Sequence, residues 1–410
     1  MTETLQVQCC IVGGGPAGMM LGYLLGRAGV STVVLEKHAD FLRDFRGDTV
    51  HPSTLQIMHE LGLLADFLKL PHAELHALSA EIGDRSFKVA DFARVPTTCR
   101  FIALMPQWDF LNFLAEDGRR FASLKIMMST QVTSLAQAGG RVVGIHAVAS
   151  DGPLEVRAKL VIGCDGRAST VRAAANLEVQ DLGSPIDVLW FRLSKKPGDP
   201  EQVLGHLESD TIIVTIDRND YWQCAFVIGK GGVERVRANG LEAFRAAVAQ
   251  GVRYLADRVD ELKSFDDVKL LSVSVDRLTR WSKPGLLCIG DAAHAMSPVG
   301  GVGINLAIQD AVAAANLLAA KLKAGTLKDD DLDRVRQRRL FPVKVIQRLQ
   351  VAIQNRVLKP AVSGAAKRNL TAPWVVKMLD GNAWLRRWPA QILGLGVRPE
   401  HVRSPVDGGG

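Results

Sequence analysis

The first forty residues follow a repeating pattern of apolar and polar positions. Residues 7–12 form an apolar run, a glycine-rich turn and an apolar helical segment follow, and residues 32–35 form a second short apolar run. This alternation is typical of a parallel sheet covered by helices. Residues 160–164 and 285–289 are also almost entirely apolar, and each run ends at a polar turn, as in strands buried on both faces. We therefore predict an α/β fold with a Rossmann-like sheet assembled from distant parts of the chain.

The middle of the chain has a different pattern. Between residues 176 and 269 the segments are longer and alternate apolar with polar positions, which is typical of an antiparallel sheet. Beyond residue 331 the apolar spacing becomes helical, and Pro342 predicts a break. The predicted organisation is a discontinuous first domain of residues 1–72, 97–175 and 270–330, an inserted substrate domain of residues 73–96 and 176–269, a helical region of residues 331–403, and a disordered tail of residues 404–410.

The glycine-rich turn matches a dinucleotide-binding motif. Gly13, Gly15 and Gly18 form G-x-G-x-x-G directly after the first predicted strand. The first glycine permits the tight turn, the second lets the backbone approach a pyrophosphate, and the third allows close packing of helix on sheet. Glu36 ends the next predicted strand, at the distance expected of a carboxylate that binds an adenosine ribose. This unit alone does not separate NAD from FAD.

Two later turns narrow the choice. Residues 165–167 read Asp-Gly-Arg after one apolar run, and residues 290–311 read GDAAHAMSPVGGVGINLAIQDA after the other. With these three ordered motifs the chain resembles the flavoprotein aromatic hydroxylases, the class of p-hydroxybenzoate hydroxylase, over about residues 5–320. The resemblance implies that FAD is the cofactor. In that family Gln or Glu often occupies the position of Val302, so flavin-edge hydrogen bonding is expected to differ here.

The resemblance also implies a set of cofactor contacts. The glycine turn and Glu36 hold the ADP part, Asp165 lies near the pyrophosphate and in the family is implicated in NAD(P)H binding, and Asp291 binds the ribityl and phosphate region. Glycines before a helix near Asn305 let its N–H groups approach the reduced flavin, whose negative charge they stabilise. The complete expected set is Gly13, Gly15, Pro16, Ala17, Gly18, Glu36, Arg46, Gln107, Val132, Asp165, Gly290, Asp291, Pro298, Gly301, Gly303, Ile304 and Asn305.

The implied chemistry is oxygen insertion. In the family NAD(P)H reduces FAD, O2 adds at flavin C4a, and the hydroperoxide attacks an electron-rich carbon of an aromatic or conjugated small molecule. The chain has no second G-x-G-x-x-G at a strand-to-helix turn and no Cys-x-x-Cys, which disfavours two-dinucleotide disulfide reductases. Two alternatives remain: a prenyl-chain reductase or quinone-pathway hydroxylase on the same fold, and a flavin-binding protein without turnover.

Candidate catalytic residues follow less directly from the sequence. Tyr221 is the one tyrosine considered for a proton relay, His51 follows Arg46 by five residues, and Arg192 is a candidate partner for a substrate anion. For each, a structural role is an equal or stronger alternative, and for His294 a structural hydrogen bond is preferred. Trp190, Arg192, Trp222 and Gln223 lie on strands expected to form the floor of the substrate pocket, and for each of them a core or surface role is the preferred interpretation.

Composition adds limits on partners and location. A net charge of +7 over 410 residues is a modest bias, and no nucleic-acid-binding module accompanies it. The six cysteines show no metal-site spacing and are interpreted as buried small hydrophobic residues. We expect no metal, no stable membrane insertion, a cytoplasmic location and a monomer or homodimer. The tryptophan- and arginine-rich segment 374–388 is interpreted as a lid, a dimer contact or a membrane-surface contact.

Overall fold

The computed structural model describes residues 3–42, 49–83, 85–200, 204–208, 211–362 and 372–408. Over these residues the strands are β1 (Glu3–Val12), β2 (Thr32–Leu35), β3 (Thr49–Val50), β4 (Ala73–Leu75), β5 (Ala77–Ile82), β6 (Arg85–Asp91), β7 (Ile102–Leu104), β8 (Leu124–Met127), β9 (Gln131–Ala138), β10 (Arg141–Ala149), β11 (Gly152–Gly163), β12 (Val179–Asp181), β13 (Ile186–Ser194), β14 (Leu204–Glu208), β15 (Thr211–Asp217), β16 (Tyr221–Gly229), β17 (Lys269–Leu271), β18 (Asp276–Leu278), β19 (Ser282–Lys283), β20 (Leu286–Cys288) and β21 (His294–Ala295).

The α-helices lie mostly in the first and last thirds of the chain. They are α1 (Pro16–Arg27), α2 (Pro52–Glu60), α3 (Leu64–Phe67), α4 (Gln107–Gly118), α5 (Thr170–Ala174), α6 (Val233–Ala238), α7 (Leu241–Gly251), α8 (Gly303–Lys323), α9 (Asp329–Ile353), α10 (Lys359–Val362), α11 (Trp374–Gly381) and α12 (Arg387–Gly394).

The larger sheet is the Rossmann-like one that the sequence predicts. Its order is β19-β20-β11-β1-β2-β8, with β10 and β9 attached to β11. The pairs β1–β11, β1–β2, β11–β20 and β2–β8 are all parallel. Apolar side chains of these strands, including four cysteines, are buried in one core with α1 and α8. The α/β class is confirmed, as is the interpretation of Cys9, Cys10, Cys164 and Cys288 as buried residues.

The second sheet has the order β17-β13-β16-β15-β14-β5-β6. Its long central pair, β13 with β16, is antiparallel, as predicted. One pair differs, since β14 and β5 are parallel. The strand β5 arrives from an early, distant part of the chain, so no hairpin constrains its direction. One face of this sheet packs against α7. The opposite face, which we call the inner face, packs against β4, β7 and α12.

The predicted break at Pro342 is wrong, because α9 continues through it. A proline inside a helix removes one backbone hydrogen bond at a cost of about 3 kcal/mol. On both sides of Pro342 the helix buries apolar side chains in the main core, among them Val335, Val343 and Ile346. This packing offsets the cost of the proline, and the sequence pattern alone did not reveal it.

The tail predicted to be disordered is ordered through residue 408. Ser404 is buried, and the Asp407 backbone N–H donates to the carbonyl of Arg27 at 2.8 Å. The side chain of Asp407 also pairs with Lys323 at the end of α8. These contacts tie the last described residues to the ends of α1 and α8.

One helical stretch, residues 299–323, is long and apolar enough to cross a membrane by length and composition. In this structure 83% of its most apolar window is buried inside the molecule. That burial is what the core helix of a folded domain requires, and α8 occupies this position against α1.

Candidate active site

Three strands of the larger sheet end side by side. The neighbours β20, β11 and β1 run parallel, so their carboxyl ends share one edge. The N–H of Cys164 donates to the carbonyl of Val12 at 2.7 Å, and that of Ile289 to Gly163 at 3.0 Å. The predicted convergence of the three glycine-containing turns is confirmed.

The geometry of the first turn requires glycine at two positions. Gly13 has φ +104°, and a Cβ there would lie 2.5 Å from the carbonyl oxygen of Cys164. A Cβ on Gly18 would lie 1.9 Å from the oxygen of Gly13, so only glycine lets α1 approach the turn. Gly15 is the N-cap, Pro16 starts the helix and Ala17 is buried. A Cβ on Gly15, by contrast, would meet no atom of the described residues within 4 Å.

The carboxylate of Glu36 lies beside this turn. Its two oxygens accept hydrogen bonds from the backbone N–H groups of Gly14 (2.9 Å) and His38 (3.1 Å). The carbonyl of Glu36 accepts the N–H of Thr130 at 2.8 Å. Val132 follows two residues later and is buried in β9. The structure thus places Glu36 and Val132 on the same side of the first turn.

The carboxylate of the second turn accepts hydrogen bonds from residues that follow it closely in sequence. Asp165 accepts from the Ser169 hydroxyl (2.5 Å) and from the Val171 N–H (3.1 Å), an arrangement that fixes the start of α5. Burial raises the pKa of the Asp165 carboxyl, and these hydrogen bonds oppose part of the rise. Arg167, the third residue of the motif, pairs with Asp291 at 3.2 Å. The second turn therefore reaches the third turn through Arg167, which the sequence analysis did not single out.

The third turn is held from behind by a buried ionic cluster. The N–H of Gly290 donates to Asp310 at 3.1 Å, and Asp310 also accepts from His294 (2.6 Å) and Arg339 (2.9 Å). His294 and Arg339 lower the pKa of the Asp310 carboxyl against the effect of burial. The structural role preferred for His294 is confirmed. Asp310 has no local sequence signal, because its partners come from two other segments, residues 290–294 and α9.

The segment from Pro298 to the start of α8 forms a loop with two left-handed glycines. Gly301 has φ +62°, and its carbonyl accepts the hydroxyl of Thr49 at 3.0 Å. Gly303 and Ile304 open α8, and no side chain among the described residues caps that helix start. Asn305 accepts from the His51 N–H (3.1 Å) and the Thr54 hydroxyl (2.7 Å). The loop is thereby attached to the start of α2.

His51 is completely buried at this junction. Its Nδ1 is 2.8 Å from the carbonyl of Leu393 in α12, and its Nε2 has no hydrogen-bond partner among the residues that the structure describes. The Nδ1 contact with a carbonyl requires a proton on Nδ1, which leaves a bare lone pair on Nε2. Burial lowers the pKa of His51 to about 4. The imidazole is therefore neutral at neutral pH, and its low pKa disfavours general-base catalysis.

The residues predicted for the pocket floor divide between the two faces of the second sheet. Arg192 lies directly opposite Gln223, and Trp190 opposite Ala225, so these side chains share the inner face of the sheet. Trp222 is on the other face, fully buried, and donates to Asp199 at 2.8 Å. Trp222 therefore has the core position that the sequence analysis preferred to a pocket role. Alternation along a strand requires that residues 222 and 223 point to opposite faces.

The other two catalytic candidates lie at the edge of this inner face. The Arg192 guanidinium stacks on the ring of Tyr221 with its carbon 4.9 Å from the ring centre. Arg192 is exposed and Tyr221 half-buried. The structure brings these two residues together, and neither forms a hydrogen bond with His51 among the described residues.

A buried arginine that the sequence analysis missed lies on the same side. The Nε of Arg218 donates to Gln223 at 3.3 Å. Burial raises the pKa of the Asp109 carboxyl in α4, and the charge of Arg218 opposes part of that rise. Gln107 is the first residue of the same helix. Arg218 follows β15 in a polar turn and carries no motif, so only tertiary structure reveals its burial.

The described residues fit a bound FAD. Gly15 and Gly166 border open space, where added Cβ atoms would touch nothing. The helices α1 and α8 both begin next to glycine turns without a capping side chain and without acidic residues in their first turns. Such N-termini favour the negative charges of a pyrophosphate and of a reduced flavin. Arg46, the remaining predicted contact, lies outside the described residues.

Comparisons with known proteins agree with this geometry. Residues 6–349 match the family model described as an FAD binding domain. The chain is 32% identical to 6-methylpretetramide 4-monooxygenase of Streptomyces rimosus, over 97% of this chain and 94% of that protein. It is 27% identical to rifampicin monooxygenase of Streptomyces venezuelae, over 76% of this chain and 64% of that protein. The chain thus spans nearly all of the first relative and less than two thirds of the second.

Solved structures show the same fold. PqsL, a probable FAD-dependent monooxygenase from Pseudomonas aeruginosa, aligns over 88% of this chain and all of its own, with a TM-score of 0.74 and 22% identity. The anhydrotetracycline hydroxylase OxyS from Streptomyces rimosus aligns over 96% of this chain and 77% of its own, with a TM-score of 0.72 and 22% identity.

Proposed function

Since this chain belongs to the FAD-binding domain family of flavoprotein aromatic monooxygenases, we propose that it hydroxylates a fused-ring phenolic compound, with FAD, NAD(P)H and O2 as cofactor and co-substrates. The pretetramide relative, which matches almost the whole chain, supports a substrate of this class. The reaction inserts one oxygen atom of O2 into a ring C–H bond and reduces the other to water, with two electrons from NAD(P)H. FAD supplies the electron transfer and the activation of oxygen.

The observation that carries the proposal is the apolar cluster between the inner face of the second sheet and the elements β7 and α12. Ile216, Val214 and Trp190 of the inner face pack with Leu104 of β7 and with Ala390 of α12. The strand β7 pairs with β3, whose Thr49 binds the loop that contains Gly301. An aromatic substrate next to the flavin would therefore meet an apolar wall, which favours a ring system over a small hydrophilic acid.

The polar residues of the site have separate proposed roles. Arg167 orients Asp291 toward the ribityl chain, and Glu36 accepts from the adenosine ribose. Arg218, positioned by Gln223, is a better candidate than exposed Arg192 for binding a phenolate oxygen, because a buried guanidinium is less screened by water. His51 holds α2 and α12 together and presents Nε2 as an acceptor inside the site. Tyr221 and Arg192 remain proposed as contacts at the pocket rim.

The helix α12 is the proposed water-excluding cover. Leu393 lies against Gly300, where an added Cβ would approach its side chain to 2.8 Å, and its carbonyl binds His51. Exclusion of water protects the activated oxygen from unproductive release. A cytoplasmic location, and a monomer or homodimer, remain predictions.

The test is a product screen with purified holoenzyme. We expect fused-ring phenols to stimulate NAD(P)H oxidation and to gain one oxygen atom, with label from 18O2, while single-ring aromatic acids do so weakly. Arg218→Lys should raise the KM for the phenol by roughly tenfold, the value of one charged hydrogen bond, and Arg192→Lys should change it less. Oxidation of NAD(P)H that yields only hydrogen peroxide with every phenol would contradict the proposal.

A further inference from the structure

A second cleft lies on the outer side of α9. Its volume is about 400 Å³. One wall is apolar, formed by Leu182, Val351 and Ala352, and the guanidinium groups of Arg277, Arg348 and Arg356 line the remainder. No aspartate or glutamate is among its lining residues within the described part of the chain. The cleft therefore combines a flat apolar surface with concentrated positive charge.

The cleft arginines differ from the other arginines of the same helix. In the first half of α9 each arginine pairs with a carboxylate: Arg334 with Asp331, Arg336 with Asp333, and Arg338 and Arg339 with Glu400. Arg348 and Arg356 have no ion pair in the part of the chain that the structure describes. A solvated helix face is normally balanced by local carboxylates. The positive charges of Arg348 and Arg356, at and just beyond the end of α9, are therefore not balanced by carboxylates of the described residues.

Arg277 is held in place rather than free in solvent. Its guanidinium donates to the side-chain oxygen of buried Gln347 at 3.2 Å. The amide nitrogen of Gln347 in turn donates to the carbonyls of Asp276 (2.7 Å) and Ala295 (3.1 Å). One hydrogen bond thus holds Arg277, and two more fix the Gln347 side chain that accepts it. The charge of Arg348, together with burial, lowers the pKa of Arg277, a cost that an anionic ligand would relieve.

The cleft is adjacent to the candidate active site. Arg277 pairs in register with His294, three residues after Asp291. One turn further along α9, Gln350 binds the backbone of Ser297 and Val299, which lead into the loop that contains Gly301. A ligand in the cleft would lie behind residues 294–299. This segment leads into the loop that contains Gly301, which forms the proposed flavin end of the site.

We propose that this cleft binds the adenosine-phosphate end of the NAD(P)H reductant. The proposal rests on the proposed monooxygenase function, which requires a binding site for the reductant. The G-x-G-x-x-G turn is assigned to FAD, so the reductant needs another site. The apolar wall fits the adenine ring, and the arginines fit its phosphate groups, which guanidinium groups bind bidentately. A volume of several hundred Å³ is typical of a site for a molecule of this size.

The test compares the double variant Arg348→Gln, Arg356→Gln with Arg235→Gln. Arg235 is exposed in α6 and has no ion pair among the described residues, so it serves as a control for lost charge. We expect the double variant to raise the KM for NADPH at least about tenfold, with kcat at saturating NADPH and FAD content unchanged. If the KM for NADH rises as much as the KM for NADPH, the arginines bind the pyrophosphate. If the KM for NADH rises less, they bind the 2′-phosphate. Both results support the site.

A binding measurement separates this inference from the monooxygenase assignment. Adenosine 2′,5′-bisphosphate should bind the oxidised holoenzyme in calorimetry, and the double variant should lose that binding, even if no aromatic substrate is ever hydroxylated. Gln347→Leu, which releases Arg277, should weaken binding several-fold. Unchanged bisphosphate affinity in the double variant, or equal competition by inorganic phosphate at the same concentration, would overturn the proposal.

Discussion

The two ends of the candidate FAD site are built in different ways. At the ADP end, the turn, helix and acidic residue come from residues 13–36, and Gly13 and Gly18 are required by backbone oxygens of the neighbouring strand end and of the turn itself. At the flavin end, the loop 298–303 is fixed by Thr49, by the His51–Asn305 pair and by Leu393 of α12. The first end is a local motif, whereas the second depends on packing among distant segments.

The largest expected effect tests the flavin end. Asp310→Ala removes the acceptor shared by Gly290, His294 and Arg339 and leaves a buried guanidinium without this carboxylate. We expect the free energy of unfolding to fall by about 3–5 kcal/mol, together with weaker FAD binding. Denaturant unfolding and flavin absorbance measure both quantities.

The matched control is Asp333→Ala, which removes a partly exposed pair with Arg336 on α9. A cost of less than about 1 kcal/mol is expected there. Equal losses in the two variants would show that the buried cluster does not distinguish the flavin end.

The second effect is a pH dependence at the same end. Burial lowers the pKa of His51 from 6.5 to about 4, so the unfolded chain binds the proton more tightly than the folded protein. The stability that this gives is complete above pH 6.5 and is lost as the pH falls toward 4, by about 3 kcal/mol. Unfolding measured across this range should show the decline, and His51→Gln should reduce it. A decline of the same size in His51→Gln would assign it to other groups.

The smallest effect tests the ADP end, where two glycines should respond differently. Gly18→Ala places a Cβ against the oxygen of Gly13 and should destabilise the apoprotein by about 1–3 kcal/mol. Gly15→Val enters open space, so it should leave apoprotein unfolding nearly unchanged while it lowers FAD affinity at least about tenfold. Flavin-to-protein ratios and unfolding curves of the apoprotein distinguish them. If both variants destabilise the apoprotein equally, the open space next to Gly15 is contradicted.

Prediction from sequence succeeded where the signal is short-range. The spacing of Gly13, Gly15 and Gly18 predicts the turn, and two distant apolar runs predict strands that join the same sheet. Prediction from sequence could not choose between a core and a pocket role for Trp222, because alternation assigns opposite faces to adjacent residues but does not tell which face is the floor. It failed at Pro342 and at the C-terminal tail because the contacts that stabilise both come from remote residues.

The sequence by itself determined the α/β class, the first turn and the flavin family, because these depend on glycines and apolar periodicity within a few tens of residues. Only the tertiary structure decided that Asp310 supports Gly290, that Arg167 reaches Asp291, and that the arginines at the end of α9 line one cleft. Each of these joins groups far apart in the chain, and their proximity depends on how the elements pack, which no local pattern encodes.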